Sequence, residues 1–172
     1  MIQNVVFVAH VNGAFSNAGL EPQEVCLVEM STESSCIITF DTTNLNYHWL
    51  DKLYNEQNSN ETHLIPFPFK GKMTHEDVRK LLKKLYLEKD EGKNSLVAVL
   101  GLKQQEFFQS CGLNTVWINL KLDLKLDELS DYSTPFMKCH KGQVNLVGLD
   151  HNCSRRKAYK IMHYLKNIKN AN

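Results

Sequence analysis

Three apolar, β-branched runs crowd into the first 40 residues, and this crowding is the feature that most restricts the folds open to the chain. Asn4-Val-Val-Phe-Val-Ala-His-Val11 is broken by Asn12-Gly13, as expected of a buried strand ending in a turn. Glu24-Val-Cys-Leu-Val-Glu-Met30 and Ser35-Cys-Ile-Ile-Thr-Phe40 follow, joined by the polar turn Ser31-Thr-Glu-Ser34. Three consecutive strands with short connections predict an antiparallel meander.

Beyond residue 40 the periodicity changes. A short helix is expected between Tyr47 and Tyr54, then a polar loop over Asn55 to Glu61, then an extended stretch held by Pro66 and Pro68. Thr74 has the position of a helix N-cap: Glu76 and Asp77 suit the positive end, and Val78, Leu81, Leu82 and Leu85 form one apolar stripe. Ser95–Leu100 reads as a strand, Lys103–Ser110 as a helix and Thr115–Leu120 as a strand, an alternation that implies parallel neighbours. Lys121–Asp131, with Leu122, Leu124, Leu126 and Leu129, fits strand or helix. Ser154–Ile168 is a final amphipathic helix with Ala158, Ile161, Met162, Leu165 and Ile168 on one side. The whole predicts an α/β fold: a mixed sheet with a three-stranded antiparallel meander and flanking helices.

With 172 residues, 42% of them apolar, the chain can bury one core and has no need of a second, so residues 1–170 are expected to form one domain. No run approaches the roughly 18 apolar residues of a membrane span, and the start lacks a basic segment with a cleavage site. The expectation is a soluble intracellular protein of cytoplasm or nucleus, with no membrane partner. Five scattered cysteines (Cys26, Cys36, Cys111, Cys139, Cys153) read as reduced thiols or metal ligands, not as a disulfide framework. Charge is uneven: residues 138–172 hold eight Lys or Arg against the single acid Asp150, and residues 1–137 hold 12 basic and 18 acidic residues. The basic end is a candidate for phosphate or an acidic partner, or it solvates a terminal helix.

The element order, together with Glu24-Val-Cys-Leu-Val-Glu29 and with His151-Asn-Cys-Ser-Arg-Arg156 ahead of the last helix, resembles the RNase H-like DEDDh (DnaQ-type) exonucleases. More specifically, Pro22-Gln-Glu24-Val-Cys-Leu-Val28, Thr62-His63-Leu-Ile-Pro66, and Cys139 with His151 and Cys153 resemble the Maelstrom domain, an exonuclease-derived branch associated with small-RNA (piRNA-type) silencing of transposons in the germline. The resemblance covers nearly the whole chain; Cys139-His140 departs from the Cys-x-x-His spacing of that pattern.

Two-metal phosphodiester hydrolysis needs carboxylates converging on divalent cations. Where the exonuclease pattern places an acid-x-acid pair, this chain reads Val8-Ala9-His10-Val11; Leu100-Gly-Leu-Lys-Gln-Gln105 carries no acid; the aspartate position five after His151 is Arg156. The resemblance therefore implies a pseudo-exonuclease with no catalytic residue to assign, and His63 as a packed histidine beside a vestigial cleft. A weak residual metal-independent ribonuclease activity, associated with some domains of that kind, is a further alternative for which no residue stands out.

Glu24, Cys139, His151 and Cys153 supply the mixture of ligands that zinc prefers, with His140 the rival of His151 and Cys26 a weaker rival on the strand of Glu24. The resemblance implies a closed structural zinc site there; on spacing alone these are small buried cysteines, a helix-end histidine and a paired glutamate. The function implied is an RNA-binding or scaffolding component of small-RNA silencing. Arg155, Arg156, Lys157 and Lys160 are the candidate phosphate contacts, and single-stranded RNA and silencing proteins the partners. The alternative is a protein-interaction or dimerisation module without nucleic-acid binding, offering Tyr47, Trp49, Phe67 or Phe69 to a partner or a second copy.

Overall fold

The computed structural model describes residues 4–16, 19–61, 63, 65–118 and 153–170. Its elements are β1 (Val5–Ser16), β2 (Gly19–Glu29), β3 (Ser35–Thr39), α1 (Trp49–Glu61), α2 (His75–Asp90), β4 (Leu96–Leu100), α3 (Leu102–Ser110), β5 (Thr115–Ile118) and α4 (Ser154–Asn170). Among the described residues the strands form one mixed sheet in the order β3-β2-β1-β4-β5. The β1-β2-β3 meander is antiparallel, whereas β4 runs parallel to both β1 and β5. The α/β class and the meander expected from the sequence are therefore present; residues 121–131 lie outside the described residues.

Side-chain alternation along β1 gives the sheet two buried faces. Phe7, Ala9 and Val11 join Val78, Leu82 and Tyr86 of α2 and Phe107 and Phe108 of α3 in one core. Val8 packs on the other face with Cys26, Val28 and Ala98 against Ala158, Tyr159, Ile161, Met162 and Leu165 of α4. The last helix thus lies across β1 and β2, which brings its first turn beside the middle of the meander.

Thr74 caps α2 as its sequence predicts, its Oγ1 accepting from the Asp77 N–H at 3.2 Å. Three local readings change. Asn12-Gly13 does not end β1: the strand continues to Ser16 through a register shift between these two residues, a bulge. A Cβ on Gly13 would stand 2.3 Å from the Glu21 carbonyl oxygen, so the close approach of β2 at that point requires glycine. Second, Asn55 to Glu61 is not a loop but the continuation of α1. Its inward face is polar: Asn55 and Ser59 are buried, and the Ser59 hydroxyl donates to the Ile65 carbonyl, so no apolar stripe announced it. Third, the chain bends at Phe67-Pro68, whose peptide bond is cis, in place of the extended stretch expected there.

Of the four aromatics offered to a partner, Phe69 is instead in the interior, and Tyr47 and Phe67 pack on one another at 4.5 Å between ring centroids. Only Trp49 is presented, 65% exposed.

Candidate functional site

In open α/β sheets ligands gather outside the carboxyl ends of parallel strands, where chain connections leave in opposite directions. Here that point lies between β1 and β4: β1 leads into the meander on one side, and β4 leads through α3 to β5 on the other. A cleft of about 360 Å³ occupies it, lined by His10, Asn12 and Gly13 of β1, His63, Gly101 and Gln104 at the start of α3, and Lys103 and Lys157.

His10 and Asn12 are two residues apart on a strand and so share a face. The Gln104 side chain fixes the state of His10. Its Oε1 accepts from the Val11 N–H at 3.2 Å, which turns its amide nitrogen to donate to His10 Nε2 at 3.3 Å. His10 therefore carries its proton on Nδ1, a buried atom with no hydrogen-bond partner among the described residues. Burial, then the Lys157 ammonium and then His63, hold the His10 pKa well below the ordinary histidine value, so the ring is neutral.

His63 is also neutral and its tautomer is also fixed. Nδ1 accepts from the Ile65 N–H at 3.1 Å, so the proton is on Nε2, which donates to the Gly13 carbonyl at 3.2 Å. Burial pushes its pKa down to about 4, against the partly opposing bond to Gly13. The ring bridges Ile65 and the β1 bulge at Gly13 and forms one wall of the cleft.

The third part of the site is the N-terminus of α4. This helix has no acidic residue in its first turn. Glu24 of β2, buried beneath it, supplies the negative charge: Oε1 accepts from both the N–H and the hydroxyl of Ser154, each at 2.7 Å, and from Asn12 Nδ2 at 3.4 Å. Cys153 completes the turn, its sulfur accepting from the Arg156 N–H at 3.4 Å. A carboxylate and a cysteine sulfur thus meet the positive end of one helix dipole. Lys157 Nζ donates to Asn12 Oδ1 at 3.1 Å, which links this cluster to the cleft. Cys26 adjoins it; burial pushes its thiol pKa well up, and Arg155 works against that while Glu24 and Cys153 reinforce it.

No family model matches the sequence, and no curated protein and no solved structure matches the chain.

The predicted site residues divide as follows. Glu24 and Cys153 come together around Ser154; Cys139, His140 and His151 lie outside the described residues. Among the described residues no three His, Cys, Asp or Glu groups are placed to hold a metal ion. Of the four basic residues, Arg155 donates from Nε to Ser35 at 2.7 Å and Lys157 donates to Asn12, so both serve the fold as well as the surface. Arg156 and Lys160 are half-buried on the same helix.

Ala9 faces the α2–α3 core, and His10 and Asn12 are the strand residues that face the cleft; Lys157, not Arg156, lines it, together with Gln104. A polar residue at every second position of an otherwise apolar run, His10 and then Asn12, was the signal in the sequence for this register.

Proposed function

We propose that this chain is a catalytically degenerate RNase H-like, DEDDh exonuclease-type domain of the Maelstrom kind. On this reading it binds single-stranded RNA as a scaffold of small-RNA silencing and does not cleave it through metal ions. The sheet order with its meander and the late helix laid across β1 and β2 support the fold assignment. The cleft carries the functional one: its described lining contains no Asp or Glu, and it presents an ammonium group, Lys157, beside two neutral histidines. Hard divalent cations require oxygen ligands and avoid a fixed positive charge, so these residues do not fit a two-metal centre. A phosphodiester, by contrast, meets Lys157 as a counter-charge, with Asn12 beside it as a hydrogen-bonding neighbour, while Lys103 is paired with Glu106.

Zinc is proposed as a structural ligand of Glu24, Cys153, Cys139 and His151, with His140 as the rival histidine. In its support, Glu24 and Cys153 flank the same residue, Ser154, and pair oxygen with sulfur, a donor set zinc accepts. Zinc bound there would tie β2 to the segment ahead of α4. Metal analysis of the purified protein tests this: one equivalent of zinc, lost in Cys153→Ser, is expected, and a zinc-free wild type refutes it.

RNA binding is tested by fluorescence anisotropy with a labelled single-stranded RNA across a salt series. Three to four phosphate contacts give a slope of about −2 to −3 in log affinity against log salt. Arg156→Glu with Lys160→Glu, which spares the Arg155–Ser35 and Lys157–Asn12 bonds, should flatten that slope by about 1.4. An unchanged slope would sink the RNA assignment. The second reading, an interaction module that binds no nucleic acid, is favoured by one observation, the exposed apolar face of α1.

A further inference from the structure

We infer that the outward face of α1 is a homodimer interface, by which two copies of this chain pair helix to helix about a two-fold axis. This goes beyond the RNA reading and does not depend on it.

The helix is inverted. Amphipathic helices bury their apolar side, yet in α1 the buried side carries Asn55 and Ser59, at 1% and 3% exposure. Trp49, Leu50, Leu53 and Tyr54 are 65%, 52%, 60% and 60% exposed. At 3.6 residues per turn these four positions fall on one side of the helix and form a continuous stripe. Single exposed apolar residues are ordinary, but four on one stripe, two of them aromatic, are the composition of an interface core.

The area is what a second copy would satisfy. With aromatic side chains at roughly 150–250 Å² each, the four residues expose on the order of 450 Å². Two such faces bring about 900 Å² together, and the flanking side chains carry the total to the ~1,000 Å² at which specific interfaces begin. A two-fold axis makes one patch complementary to itself, so no other surface of the molecule is required.

Charge placement agrees with an antiparallel pair. Lys52 and Glu56 are exposed, one turn apart along the same edge of the stripe. With the two-fold axis at Leu53, Lys52 lies about 3 Å along the helix axis from the partner subunit's Glu56, within a lysine's reach, and Glu56 faces the partner subunit's Lys52 in the same way. The facing edges of the two copies thereby form two opposite-charge pairs across the interface.

Sedimentation equilibrium of the full chain tests the proposal. The wild type is expected to dimerise with a dissociation constant in the micromolar range, as for an interface at the lower size limit. Leu53→Glu should weaken dimerisation at least tenfold while leaving the circular dichroism spectrum unchanged, because Leu53 faces solvent in the single chain. Lys52→Glu alone and Glu56→Lys alone should each weaken self-association, since each sets like charges opposite one another. An equimolar mixture of these two variants should form a heterodimer at least as tight as the wild type. A wild type that stays monomeric at about 100 µM overturns the proposal and leaves the stripe to a different protein or to residues 119–152 of the chain itself. A dimer that Leu53→Glu does not weaken, or a mixture that fails to pair, overturns it equally.

Discussion

His63 makes stability depend on pH in a window where few other groups titrate. The ring is 4% exposed and held neutral by burial, against the opposing bond to the Gly13 carbonyl, and its pKa lies at about 4 in the folded protein against 6.5 for a free histidine. In the unfolded chain the ring takes up a proton below about pH 6.5, whereas the folded chain resists it until about pH 4. Between these values the unfolded state binds more protons, so stability rises with pH. It is complete above the upper limit and is lost as pH falls toward the lower one. The difference in pKa corresponds to at most about 3 kcal/mol, and His10, also depressed, acts in the same direction. Carboxylates held low by their partners, such as Asp41 at about 2, destabilise the fold only at lower pH. Urea unfolding from about pH 7 to pH 4.5 should therefore lower the midpoint by roughly 1 M, taking a slope of about 2 kcal/mol/M. His63→Gln, which retains a donor for the Gly13 carbonyl, should be less stable than wild type near neutrality, and the gap should close as pH falls. Parallel pH curves for the two proteins would refute the assignment of a buried neutral His63.

Glu24→Ala leaves the Ser154 N–H and hydroxyl without their acceptor and removes the charge at the start of α4, so a loss of about 2–3 kcal/mol in urea unfolding is expected; a loss below about 0.5 kcal/mol would contradict the capping role. Gly13→Ala forces a methyl group against the Glu21 carbonyl and should cost about 1–3 kcal/mol, with hydrogen exchange increased selectively at the β1–β2 bulge. Phe108→Ala empties a fully buried site in the core beneath α3 and should cost about 3–5 kcal/mol by the same unfolding assay, whereas Leu53→Ala, on the open face of α1, should cost under about 1 kcal/mol.

Where burial followed a simple period, the sequence made the fold legible. The runs from Asn4, Glu24 and Ser35 became β1, β2 and β3, and Thr74 with its acidic neighbours marked the start of α2, because these elements bury apolar side chains on regular faces. The second half of α1 was hidden because Asn55 and Ser59, not leucines, point inward. The bulge at Gly13 was read as a turn because Asn-Gly serves both, and only the approach of Glu21 distinguishes them. In the site, the alternation of His10 and Asn12 within an apolar run marked which strand residues share a face, but not which face lines the cleft. Whether Ala9 or His10 faces the cleft depends on which side of β1 receives α4, a long-range packing fact. The Glu24–Ser154 contact, spanning 130 residues, is of the same kind: the resemblance selected Glu24, and the geometry adds its role as an acceptor at a helix end.

The proposed role of the cleft between β1 and β4 is to engage phosphate with Lys157 and neutral side chains, without metal-bound carboxylates. Its most direct test is to incubate the protein with a labelled single-stranded RNA in magnesium and, separately, in excess chelator, following anisotropy and RNA length in the same samples. The expected result is an affinity equal within about twofold in both conditions, with the RNA at full length throughout and binding weakened in Lys157→Glu. Binding that requires magnesium, or stepwise shortening of the RNA that magnesium supports and chelator abolishes, would contradict it.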